Sequence, residues 1–215
     1  MDGREEGYHL DNRCPINDEK LSLELLPPLK AKELYRVLQT ELGPGLEKTG
    51  FKKQRSSRLT YQRLVGDNYQ TVWFQCDKYG WDSYSGGSFF VNFTVAGSPD
   101  VDAVDSREER LNYFLTDSEL VRARDYRDEV VARIPKPPES YFEALEAAFA
   151  KTADSASSLV MTVRGYFEPE PMPYRRHQDF ALRYWQPEDV KGWASLIGSV
   201  LPRALEQMIS WKPHR

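Results

Sequence analysis

Apolar residues from Leu34 onward fall at helical intervals: Leu34, Val37, Leu38, Leu42 and Leu46, with Phe51 just beyond. That period predicts an amphipathic helix with one face turned to a core. Gly43-Pro44-Gly45 interrupts the run. A proline inside a helix costs about 3 kcal/mol, so a kink or a restart is expected there. Gly50 is placed to close the helix as a C-terminal cap. The period then changes to two. Over residues 58–65, Leu59, Tyr61, Arg63 and Val65 alternate with Thr60, Gln62 and Leu64. Gly66-Asp67-Asn68 reads as a turn, and residues 69–77 as a second strand with Val72, Phe74 and Cys76 inward. In a third strand over 89–95, Phe89, Val91, Phe93 and Val95 oppose Phe90, Asn92 and Thr94. Alternation broken by short turns predicts an antiparallel meander.

Beyond residue 98 the pattern loosens. Residues 99–117 are acidic and loop-like, and 118–133 and 140–151 read as helices separated by Ile134-Pro135-Lys136-Pro137-Pro138. Strands are expected over 159–167 and 180–185, joined by a segment of alternating prolines around Pro169, Pro171 and Pro173. The last helix has the strongest start signal, with Pro187 at its first position and Glu188 and Asp189 in its first turn. Val190, Trp193, Ile197, Val200, Leu201, Leu205 and Met208 then form its apolar stripe. The expected fold is therefore α+β. An antiparallel sheet of about five strands is backed by long N- and C-terminal helices, with a helical insertion at 98–151. Residues 1–20 read as a polar arm and 21–215 as a single domain.

Composition narrows the class. Of 215 residues 40% are hydrophobic and 29% charged, which is ample for a core and excludes global disorder. The two cysteines, Cys14 and Cys76, cannot build a disulfide framework. No window approaches the roughly 20 apolar residues of a membrane span. The first six residues carry three acids and lack the apolar run of a secretion signal, so a cytoplasmic protein that does not engage membranes is expected.

Charge is uneven. The net value is −4, yet residues 48–65 hold Lys48, Lys52, Lys53, Arg55, Arg58 and Arg63 and no acid. A solvated turn and strand face is the plain reading, and an anion-steering patch is the functional one. Catalytic signatures are missing: there is no Gly-x-Ser-x-Gly elbow and no Gly-x-x-x-x-Gly-Lys loop. The three histidines, His9, His177 and His214, are too scattered for ligand spacing, so no metal and no cofactor is expected. What remains is aromatic, amide and basic. Trp73 and Gln75 share a face of the second strand, Asn92 lies on the polar face of the third, and Arg63 is on the neighbouring strand. Tyr79, Trp81 and Tyr84 ride on the loop at 78–88, and Lys52, Lys53 and Arg55 belong to the basic stretch. Trp, Tyr and Arg are enriched at binding hot spots. The alternatives are ordinary packing for Trp73, under helices of the 118–151 region, and turn chemistry for Gly86-Gly87.

Several of these runs carry a resemblance. Leu46-Glu47-Lys48-Thr49-Gly50-Phe51-Lys52-Lys53, Tyr61-Gln62-Arg63, Val72-Trp73-Phe74-Gln75 and Phe89-Phe90-Val91-Asn92-Phe93, together with Trp185-Gln186-Pro187-Glu188-Asp189-Val190-Lys191-Gly192-Trp193, resemble the uncharacterised bacterial domain-of-unknown-function family DUF4304. The resemblance covers residues 34–96 and 180–209. It implies the fold and brings no activity or site residues with it. The functional expectation is a non-enzymatic binding protein, an adaptor or an inhibitor of a protein partner, using one sheet face and the 78–88 loop. The alternatives are a nucleic-acid module using residues 48–65, and a small-molecule enzyme with an aromatic pocket near Arg63, Gln75 and Asn92.

Overall fold

The computed structural model describes residues 29–77, 81, 83–100, 104–149 and 181–212. The chain divides into two compact units. In one of them, Met1–Leu25 with Pro137–Glu168, the described element is the helix α4 (Glu139–Phe149). The other unit, Leu26–Lys136 with Pro169–Arg215, holds the other described elements. In chain order these are α1 (Ala31–Lys48), β1 (Lys52–Lys53), β2 (Leu59–Val65), β3 (Asn68–Cys76), β4 (Gly87–Ala96), β5 (Arg107–Arg110), α2 (Leu111–Phe114), α3 (Asp117–Arg133), β6 (Leu182–Tyr184) and α5 (Pro187–Ile209). The fold is α+β. Its antiparallel sheet has the order β1-β2-β3-β4-β5, and β6 pairs with the beginning of β4.

The period-two alternation seen in the sequence sets the layers. Leu59 and Tyr61 of β2, Val72 and Phe74 of β3, and Phe89, Val91, Phe93 and Val95 of β4 are buried on one face. The α1 stripe Leu34, Leu38, Leu42 and Leu46 joins the same core, as do Trp193, Ile197, Val200 and Met208 of α5. Each such side chain stabilises the fold by about 1.5–3 kcal/mol when fully buried. The two helices pack along one another, which makes the N- and C-terminal ends of the fold one layer.

Two expectations are corrected. First, α1 runs through Gly43-Pro44-Gly45 as one helix, so of the kink or restart expected there the restart does not occur. The apolar stripe holds the helix on the sheet despite the proline, and Gly43 lets it approach Tyr61, whose hydroxyl a Cβ would meet at 2.8 Å. Second, the acidic stretch at 99–117 contains β5 and α2. All four β5 residues, Arg107-Glu108-Glu109-Arg110, are charged and show no alternation; they form a strand because the edge of β4 offers unpaired backbone from Asn92 to Val95. Charged side chains on such an edge discourage further strand addition. α3 packs on β6 and α5, with Tyr126 edge-on to Trp193 at 4.8 Å and its hydroxyl donating to the Asp189 carbonyl. Gly50 closes α1 as expected, with φ 87°. The strand expected over 159–167 lies outside the described residues.

Candidate interaction surface

The sheet face opposite the apolar core carries several of the expected contact residues. Register places Trp73 beside Asn92 and Thr71 beside Thr94, with Asn92 also beside Arg110. These side chains mostly serve one another. Trp73 Nε1 donates to Thr94 Oγ1 at 3.0 Å, and Gln62 Nε2 donates to Thr71 Oγ1 at 3.0 Å and to the Pro99 carbonyl at 2.9 Å. Thr60, Gln62, Thr71, Trp73 and Thr94 are all buried, and Arg58 stacks over the Trp73 ring at 4.9 Å. Asn92 is 0% exposed, and neither its Oδ1 nor its Nδ2 has a hydrogen-bond partner. A group that no water-sized probe touches leaves no room for a ligand beside it. Asn92 is thus a cost to the fold, since an unpaired buried polar group destabilises by about 1–3 kcal/mol. Asn92→Leu, which removes both orphaned atoms at similar volume, is expected to leave stability unchanged or raise it by about 1 kcal/mol in urea denaturation. A loss above about 2 kcal/mol would show that the amide is paired in solution. Gln75 is half-buried at the end of this face, beside Phe90.

Arg63 lies on the other side of its strand and is fully employed. Its Nε donates to Gln70 Oε1 at 2.9 Å, its Nη1 donates to the Thr49 carbonyl at 2.6 Å, and its guanidinium stacks over Phe51 at 4.6 Å. Partial burial lowers its pKa from the usual arginine value. It therefore clamps the end of α1 to the β2–β3 hairpin. Arg63, Gln75 and Asn92 do not converge on one pocket, because β2 presents Arg63 opposite to Thr60 and Gln62, the residues that share a face with Asn92.

The loop aromatics are tied down as well. Trp81 is half-buried and its Nε1 donates to the Trp185 carbonyl at 3.0 Å, while Tyr84 is only 7% exposed. Neither is the free loop aromatic that the sequence suggested. Tyr79 lies outside the described residues, as do His9, His177 and His214. Among the described residues no group of three or more His, Cys, Asp or Glu side chains is placed to hold a metal. Burial raises the thiol pKa of Cys76 and the phenol pKa of nearby Tyr35, which makes both poor nucleophiles.

The basic stretch remains. Lys52, Lys53 and Arg55 are exposed, the first two on the two-residue edge strand β1. Lys53 faces a cleft of about 760 Å³ between the first half of α1 and the bend leading into β2. Helical spacing brings Lys32, Arg36 and Gln39 of α1 to this cleft at positions i, i+4 and i+7. Ser56, Ser57 and Arg58 line it from the bend, and Tyr35 lines it from the helix. Among the described residues, the cations Lys32, Arg36, Lys53 and Arg58 thus share a lining with the carboxylate of Glu33. That carboxylate accepts from the Lys30 backbone N–H at 3.1 Å as part of the helix cap. Lys53 is positioned by a hydrogen bond from Nζ to Gln39 Oε1 at 2.5 Å, and Arg58 by its stacking on Trp73. Arg55 and Lys52 do not line this cleft. Lys52 instead borders a second groove with Thr49, Gln54, Arg63 and Tyr69, where the Arg63 guanidinium is already occupied.

Lys32 and Arg36 were not singled out in the sequence, because the apolar stripe of α1 dominates its pattern. The signal was present as two cations four residues apart on its polar side. No family model matches the chain, and neither a curated protein nor a solved structure matches it.

Proposed function

We propose that this chain is a non-enzymatic binding protein that engages an acidic segment of a protein partner at the cleft between α1 and the bend before β2. The observation that carries the reading is the charge of that cleft: among the described residues the exposed cations Lys32, Arg36 and Lys53, together with Arg58, line it against the carboxylate of Glu33, which is held in the α1 cap. A surface so charged attracts and orients an anionic partner even though the chain as a whole is negative. The sheet face and the 78–88 loop, the surfaces first expected to bind, support it less, since Trp73, Tyr84 and Asn92 are buried and Trp81 is bonded. A nucleic-acid module is the weaker reading of the same cations. Base stacking needs free aromatic faces, whereas Trp73 is buried beneath Arg58 and Tyr35 is half-buried. A reduced, cytoplasmic setting belongs to this proposal, since two cysteines cannot build a disulfide framework.

Fluorescence anisotropy with a labelled glutamate-rich peptide tests it. Binding is expected at low ionic strength and is expected to weaken as salt rises. The variant Lys32→Glu/Arg36→Glu/Lys53→Glu should lose at least about tenfold in affinity, as three exposed ion pairs become repulsions. A control with equal charge change elsewhere, Arg122→Glu/Lys136→Glu/Lys212→Glu, should retain most of it. Equal losses in the two variants, or no binding by the unaltered protein, would contradict the proposal.

A further inference from the structure

We infer that the anion this cleft takes is a phosphate group, carried on a phosphorylated side chain of the protein partner; the inference rests on the binding reading given above. Three chain segments supply donors around one space. The first turns of α1 bring Lys32 and Arg36, β1 brings Lys53, and the bend brings Arg58 with the hydroxyls of Ser56 and Ser57. A carboxylate is planar, bears one charge and is satisfied by a single guanidinium fork. It would leave the exposed cations Lys32, Arg36 and Lys53 only partly neutralised. A phosphate monoester carries a charge of about −1.5 to −2 and three strong acceptor oxygens in a tetrahedral arrangement, which suits donors supplied by several chain segments.

Further features of the cleft favour the dianion. The first turn of α1, Ala31 to Glu33, also lines the cleft, so the positive end of an 18-residue helix adds to the side-chain charges. Glu33, which would repel a phosphate, directs a carboxylate oxygen to the Lys30 N–H. The hydroxyl side of the cleft is partly ordered, because Ser56 Oγ accepts from the Arg58 backbone N–H at 3.2 Å and fixes the bend. Lys53 and Arg58 are held by Gln39 and Trp73, so less side-chain freedom is lost when an anion arrives. The cleft volume of about 760 Å³ also accommodates a whole phosphorylated side chain together with its neighbours.

Four labelled probes presented to the full chain test this: a short peptide with one phosphoserine between glutamates, its unphosphorylated serine twin, a twin with glutamate in place of the phosphoserine, and oligothymidylate. The phosphoserine peptide is expected to bind at least about tenfold more tightly than the glutamate twin. Inorganic phosphate should compete with it more strongly than chloride at equal ionic strength. Arg36→Gln and Lys53→Gln, both at exposed positions, should each lower its affinity about threefold or more, with circular dichroism unchanged. Equal affinity for the phosphoserine and glutamate peptides, lost from both in the triple charge-reversal variant, would overturn the phosphate assignment and leave the acidic-segment reading standing. Tighter binding of oligothymidylate than of either peptide would overturn both, and so would the failure of every peptide to bind.

Discussion

Asp189→Ala is expected to destabilise the protein by about 2–4 kcal/mol. Asp189 is 1% exposed at the start of α5, and its Oδ2 accepts from the backbone N–H groups of Trp185 and Gln186 at 2.8 and 2.9 Å. The first N–H groups of a helix have no partner within it, so the carboxylate supplies what the backbone lacks. Its Oδ1 is paired with Arg133 of α3 at 2.5 Å. Truncation would orphan two partly buried N–H groups at the junction of β6 and α5, and that accounts for most of the loss. The ion pair contributes less, because Arg133 is about half exposed and returns to water when released. Asp189→Asn keeps an acceptor for the N–H groups and should cost roughly half as much. Urea denaturation of the two variants separates these contributions. Equal losses would assign the effect to the charge, and a loss below about 1 kcal/mol for the alanine variant would show that the cap is not a principal support.

The second large effect is expected at Gly86. Its φ is 65°, and a Cβ built there would run into the backbone carbonyl of Tyr184 and lie 3.2 Å from Ile134 Cδ1. A non-glycine residue in the left-handed region costs about 1–3 kcal/mol by itself. The clash adds to this because a carbonyl in β6 cannot rotate away as a side chain does, and β6 pairs with β4 only from Gly87 to Phe89. Gly86→Ala should therefore lose about 3–4 kcal/mol. Gly66 is the internal control: its φ is 60°, yet nothing lies within 4 Å of the Cβ position. Gly66→Ala should cost only about 1 kcal/mol. Similar melting temperatures for the two variants would mean that the β4–β6 junction relaxes freely.

The elements best legible in the sequence are those whose core contacts follow one period. The α1 stripe, the alternation in β2 to β4, and the Pro187 start of α5 were readable because each buries one clean face. β5 was not, since its strand character comes from the edge of β4 and not from its own charged residues. The helix restart weighed at Gly43-Pro44-Gly45 overlooked the close approach to Tyr61, a contact between residues far apart in the chain. The interaction surface was legible only in part. A run of cations announced Lys53 and Arg58, but residue type alone could not show that Arg63 is spent on Thr49 and Gln70. Nor could it show that Trp81 is bonded to the Trp185 carbonyl, more than a hundred residues along the chain. The sequence run Trp185-Gln186-Pro187-Glu188-Asp189 has a structural account of the same kind: it builds the cap of α5.

The account's central claim is that binding takes place at the cleft of Lys32, Arg36, Lys53 and Arg58, and not on the sheet face of Trp73 and Asn92. Nuclear magnetic resonance titration of the isotope-labelled protein with the acidic peptide tests it most directly. The predicted result is a set of amide shifts confined to residues 31–36 and 53–58, weakening as salt is added; shifts centred on residues 71–75 and 90–94, with the cleft unmoved, would contradict it.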